Sequence, residues 1–112
     1  MTMPYVPETF PITLRQGTPL RVALDELATE VGLTAPQQHL LIHIAAGQPH
    51  AMIADHIGTM DDSVKKVAAR TMQHLRVRSR AEIEAAAERA VARAGEGASV
   101  NDLKEFLRDR LL

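Results

Sequence analysis

The sequence predicts an all-α fold, and three observations carry that prediction. Apolar residues recur at three- and four-residue spacings through six successive stretches. Prolines, glycines and cap-forming residues punctuate the joins between those stretches. Alternation of period two occurs only over Phe10, Ile12 and Leu14, which is too little to assemble a sheet. At 112 residues the chain has the length of one domain with a modest core. Hydrophobic residues make up 46% and aromatics 3%, so Leu, Ile, Val, Ala and Met must build that core.

Residues 1–17 read as an extended N-terminal arm, because Pro4, Pro7 and Pro11 disfavour helix there. Tyr5 and Phe10 lie in it and could latch the arm onto its own domain or onto a partner subunit. Thr18-Pro19 reads as an N-cap followed by proline at the first helical position. Leu20, Leu24, Leu27 and Val31 then form one stripe, and Gly32 closes this extra N-terminal helix, 18–32.

The segment 33–94 holds a compact set of helices. Thr34 and Gln37 have the spacing of a capping box, Leu40, Leu41 and Ile44 form a buried face, and Gly47 ends the helix. Gln48-Pro49 restarts the chain, with Ile53, Ala54 and Ile57 as the apolar face up to Gly58. Thr59 to Asp62 turns into the next helix. Two short helices joined by a tight glycine-containing turn form a helix-turn-helix by pattern. Further on, Ser79 is placed to cap a helix that runs to Ala94, with Ile83, Ala87, Ala90 and Val91 on one face. Gly95-Glu96-Gly97 links it to a C-terminal helix within 98–112. Ser99 and Asp102 cap that helix, and Val100, Leu103, Phe106, Leu107 and Leu111 make its stripe.

The chemistry concentrates between Ser63 and Arg80. This stretch carries Lys65, Lys66, Arg70, Arg76, Arg78 and Arg80 and no acid, in a chain of net charge −1. Residues 1–62 hold seven acids against two bases, and residues 81–112 seven against five. Val64, Ala68, Thr71, Met72 and Leu75 recur at helical spacing through the block, so one face can be buried while the bases point outward. Duplex DNA binding asks for such a helix, since its cations can displace counterions condensed on phosphates.

From Leu33 to Ala87 the order of signals resembles the LuxR-type (GerE-like) helix-turn-helix DNA-binding domain. The match rests on Leu33-Thr34, Leu41 and Ile44, Ala45-Ala46-Gly47, Ile53-Ala54, Gly58, Ser63-Val64-Lys65, Leu75 and the run Val77-Arg78-Ser79-Arg80. It covers about half the chain. The resemblance implies binding to double-stranded DNA as a homodimer, with the basic helix in the major groove. By position, Ser63 would hold a phosphate, Lys65 and Lys66 would face base edges and phosphates, and Arg70 would follow along the helix. Arg78 and Arg80 would sit at the junction into the next helix. Ile83, Ala87, Ala90 and Val91 would line the self-association face. The larger stripe of Leu103, Phe106 and Leu107 has no counterpart in the family and is a second candidate for that face by its apolar area. The chain departs from the family where Met60 replaces the usual Ser cap, leaving Thr59 or Asp61 for that task, and where Asp62 adds an acid near the groove.

Other chemistry finds little support. With no cysteine there is no disulfide, zinc–thiolate site or thiol nucleophile. His39 and His43 are four apart on a helix but lack a third ligand, so no metal or cofactor is expected. No phosphate loop or nucleophile motif can be read, so the chain is not expected to be an enzyme. No apolar run approaches the ~18–20 residues of a membrane span, and residues 1–17 do not read as a signal peptide. The chain is therefore expected in the cytoplasm, as a sequence-specific DNA-binding regulator of transcription. The alternative is a protein-interaction module that binds another regulator or RNA polymerase, with DNA contact secondary. A relative of sigma-factor region four would share the helix-turn-helix logic, but no residue here favours it.

Overall fold

Local signals decide where each helix starts and stops. A computed structural model describes residues 10–57 and 60–112, the side chains of His56, Ile57 and Asp61 excepted. After a 3-10 turn at Ile12–Leu14 come six α-helices: α1 Pro19–Glu30, α2 Ala35–Ala45, α3 His50–Ile57, α4 Asp61–His74, α5 Arg80–Gly95 and α6 Val100–Leu111. The fold is all-α, as expected, with no strand among the described residues.

The capping box of α2 forms as its spacing predicts. Gln37 N–H donates to Thr34 Oγ1 at 3.4 Å, and Thr34 N–H donates to Gln37 Oε1 at 2.9 Å. Ser99 and Asp102 do the same for α6, at 3.1 and 3.3 Å. Glu82 also turns back at the start of α5, where its carboxylate accepts from the backbone N–H groups of Arg78 and Ser79. Thr18 stands at the N-cap position of α1 but leaves the helix uncapped. Its hydroxyl lies 2.9 Å from the Thr13 carbonyl and 2.7 Å from that of Arg15, holding the preceding turn instead.

Four helices end in the same Schellman geometry, in which the residue beyond the cap takes a left-handed conformation. Leu33 N–H reaches Ala28 O, Gln48 N–H reaches His43 O, Val77 N–H reaches Met72 O, and Ala98 N–H reaches Arg93 O. Gly32, Gly47 and Gly97 fill the left-handed position in α1, α2 and α5, at φ 81°, 77° and 92°. In α4 that position is Arg76, at φ 56°.

Packing places α2 at the centre. It contacts α1, α4 and α5, and α3 packs on α4. Leu40, Leu41, Ile42 and Ile44 of α2 are all buried. The extra helices join the same core, with α6 lying on both α1 and α5. Lys104 pairs with Glu26, and Arg108 with Glu30, both across an offset of 78 residues. A constant offset means that α1 and α6 run in the same direction. Contacts with the two glutamates, led by the hydrogen bond to Glu26, hold the Lys104 pKa above its ordinary value.

Two expectations are corrected here. Within the described part of the arm, 10–17, Ile12–Leu14 forms a 3-10 turn where an extended segment was expected. Phe10 and Leu14 are both buried while Ile12 between them is 73% exposed. The turn brings the two apolar side chains to the same face, and no strand is present among the described residues to pair with an extended arm. Residues 1–9, with Tyr5, lie outside the described residues, as do Gly58 and Thr59.

The second correction concerns the self-association face. Ile83, Ala87, Ala90, Leu103 and Leu107 are 0–3% exposed within the single chain. The stripes of α5 and α6 close on each other and on α1, so these five side chains are used within the single chain. Val91 is only half-buried, as is Phe106, which sits between two guanidinium groups. The Arg93 group lies 4.4 Å and the Arg110 group 4.9 Å from its ring centroid. Ala87→Glu is therefore expected to lower the melting temperature, at a cost of roughly 3 kcal/mol or more for a carboxylate forced into an apolar contact. A variant that melted like the parent but sedimented as a smaller species would restore the dimer face.

Candidate nucleic-acid interface

The basic helix is half in and half out of the core. Val64, Ala68, Thr71 and Leu75 are 0–2% exposed and face α2 and α3. Burying the Thr71 hydroxyl is made tolerable by its hydrogen bond to the Val67 carbonyl at 2.8 Å. From α3, Ile53 and Ala54 are buried as expected; the side chain of Ile57 is outside the described residues. Asp62, Ser63, Lys65, Lys66, Ala69, Arg70, Gln73 and His74 of α4 are all exposed. At 3.6 residues per turn, Lys66 and Gln73 point most directly away from the buried face. Ser63 and Arg70 flank that line on one side and Lys65 on the other.

The cations divide into committed and uncommitted sets. Arg21 pairs with Asp25, Lys104 with Glu26 and Glu30, and Arg108 with Glu30. Among the described residues, Arg93 and Arg110 contact only the Phe106 ring, and Arg89 of α5 enters no hydrogen bond or ion pair. The side chains of Lys66, Arg70, Arg76 and Arg78 likewise enter none among the described residues. All four belong to α4 or to the turn that follows it.

Arg80 departs from its expected role. Its guanidinium lies 3.0 Å from Glu84 and donates to the Gln48 carbonyl. Gln48 is itself buried, with Oε1 2.5 Å from Nδ1 of the buried His43, whose ring lies 4.8 Å from that of Phe10. Arg80 thus braces the turn between α2 and α3 against α5, and it is a positioning residue for the helix pair. Losing it is expected to lower thermal stability. Arg80→Ala should therefore melt lower than Arg78→Ala, as followed by circular dichroism. Equal melting curves would return Arg80 to the surface.

The start of α4 carries no side-chain cap. Met60 occupies the N-cap position, 72% exposed and without a capping hydrogen bond. Thr59 and the Asp61 side chain, the expected substitutes, lie outside the described residues. Two residues at this surface were missed in the sequence, Ala69 and Gln73, and Arg76 stands in the basic block there but is given no role. A helical wheel centred on Val64 and Ala68 would have found the first two, since both fall on the outward side. His39 and His43 do not converge, because His39 is exposed on the surface while His43 is buried beside Gln48. No group of three potential metal ligands occurs among the described residues. None of the described helices is long and apolar enough to cross a membrane. Comparison with family models, curated proteins and solved structures found nothing that matches this chain.

Proposed function

We propose that the chain is a cytoplasmic DNA-binding regulator of transcription that lays α4 in the major groove of a duplex. The observation that supports this reading best is the segregation of uncommitted cations. Lys66, Arg70, Arg76 and Arg78 have no partner within the described chain and lie in α4 or the turn after it, whereas Arg21 of α1 and Lys104 and Arg108 of α6 are paired with acids. A helix with one face locked in the core and the other cationic can enter a groove without unfolding anything. Lys66 and Gln73 are then the side chains best placed for base edges, a lysine suiting guanine and a glutamine suiting adenine. Exposed Ser63 is available to a phosphate beside them. The helix order also agrees with the LuxR-type resemblance in residues 33–94. A single domain of this size covers few base pairs, so the reading implies two copies on neighbouring half-sites. Their contact would use surface other than Ile83, Ala87, Ala90, Leu103 and Leu107.

Titration of a mixed-sequence duplex at several salt concentrations tests this. Phosphate contacts by Arg70, Arg76 and Arg78 predict that log K falls against log salt with a slope of roughly −3 per chain. Selection of bound fragments from genomic DNA would then report the preferred site. Absence of salt-dependent binding at low ionic strength would overturn the reading and favour a protein partner, such as RNA polymerase or another regulator, on the same surface.

A further inference from the structure

The left-handed residue at the end of α4 is an arginine where the three other helices of this type use glycine. A side chain at φ 56° is disfavoured because Cβ crowds the backbone carbonyl, and glycine escapes that cost. The turn itself demands the conformation: Arg76 N–H bonds to the Gln73 carbonyl at 3.2 Å and Val77 N–H to that of Met72 at 3.1 Å. Met72 and Val77 are both packed against the core, so the chain cannot relax out of the turn without unburying them. Nothing within the described chain compensates for the crowding, since the exposed Arg76 side chain forms no hydrogen bond or ion pair. Arg78, two residues on, is likewise exposed and uncommitted.

We infer that Arg76, with Arg78 beside it, is a phosphodiester clamp that fixes how far α4 advances along the groove. This inference rests on the DNA-binding reading and deepens it. The two residues lie just past the last turn of α4, where a helix lying in the groove runs out over the phosphate backbone. Guanidinium groups suit that contact because they engage phosphate oxygens in a bidentate manner. The left-handed turn sets the Arg76 backbone just beyond the end of α4, so its side chain leaves from past the last helical turn.

The test compares Arg76→Gly and Arg76→Lys with the parent. Glycine relieves the crowding and removes the cation, so Arg76→Gly should melt a few degrees higher. The same variant should bind duplex DNA about five- to tenfold more weakly near 0.1 M salt, with the salt slope reduced by about one unit. Arg76→Lys keeps a charge in the same turn and should keep the parent's slope. Loss of affinity in a protein that has become more stable cannot come from damage to the fold. An Arg76→Gly variant with the parent's affinity and slope would overturn the clamp while leaving DNA binding in place. One that melts no higher than the parent would remove the strain on which the inference rests. A parent without salt-dependent binding would overturn both the inference and the reading beneath it.

Discussion

Reversing the charge of Lys66 and Arg70 together is expected to weaken duplex binding by at least about a hundredfold at moderate salt. The fold should be left unchanged. Both side chains are exposed and without partners within the described chain, so their replacement by glutamate breaks no intramolecular contact. On DNA the effect would be double, because a base-edge contact and a phosphate contact would be lost and two repulsions introduced. Removing a single phosphate contact lowers the salt slope by about one. The doubly reversed protein should therefore lose most of its salt dependence as well as its affinity. Lys66→Glu with Arg70→Glu, titrated against a duplex beside the parent and melted in parallel, measures both quantities. A doubly reversed protein that kept its affinity would show that α4 is not the DNA-facing element.

Removing residues 98–112 is expected to abolish cooperative folding near 25 °C. Leu103, Leu107 and Leu111 of α6 are 0–1% exposed, and they cover α1 and α5. Burying a leucine contributes ~1.5–3 kcal/mol, so the three together supply on the order of 5–9 kcal/mol. That is comparable with the whole stability of a domain this size, about 5–15 kcal/mol. The truncation also returns to water parts of α1 and α5 that α6 had covered. The exposed ion pairs of Arg108 and Lys104 with Glu26 and Glu30 add little beside this. Thermal melting followed at 222 nm checks the prediction. A truncated chain with the parent's melting temperature would make α6 an appendage instead of part of the core.

The sequence by itself determined the helices and the polarity of the surface. Helix ends were legible because they are local: a cap and its partner lie three residues apart, as in Thr34 with Gln37 and Ser99 with Asp102. Gly32, Gly47 and Gly97 mark the left-handed stops for the same reason. The acid-free run from Ser63 to Arg80 and its apolar counter-face also needed nothing beyond residue order. Amphipathic spacing says that a face must leave water, but it does not say against what. The stripes of α5 and α6 could close on a second copy or on each other, and only packing decided for the latter. Arg78 and Arg80 are the same residue two positions apart, yet one is exposed and the other is spent on Glu84 and on a carbonyl 32 residues distant. That partner is close only because α5 crosses the turn between α2 and α3. Arg76 carries no sign in the sequence of its left-handed conformation, since arginine favours no such geometry. The need arises from Met72 and Val77 both reaching the core across it, which is a property of the assembled fold.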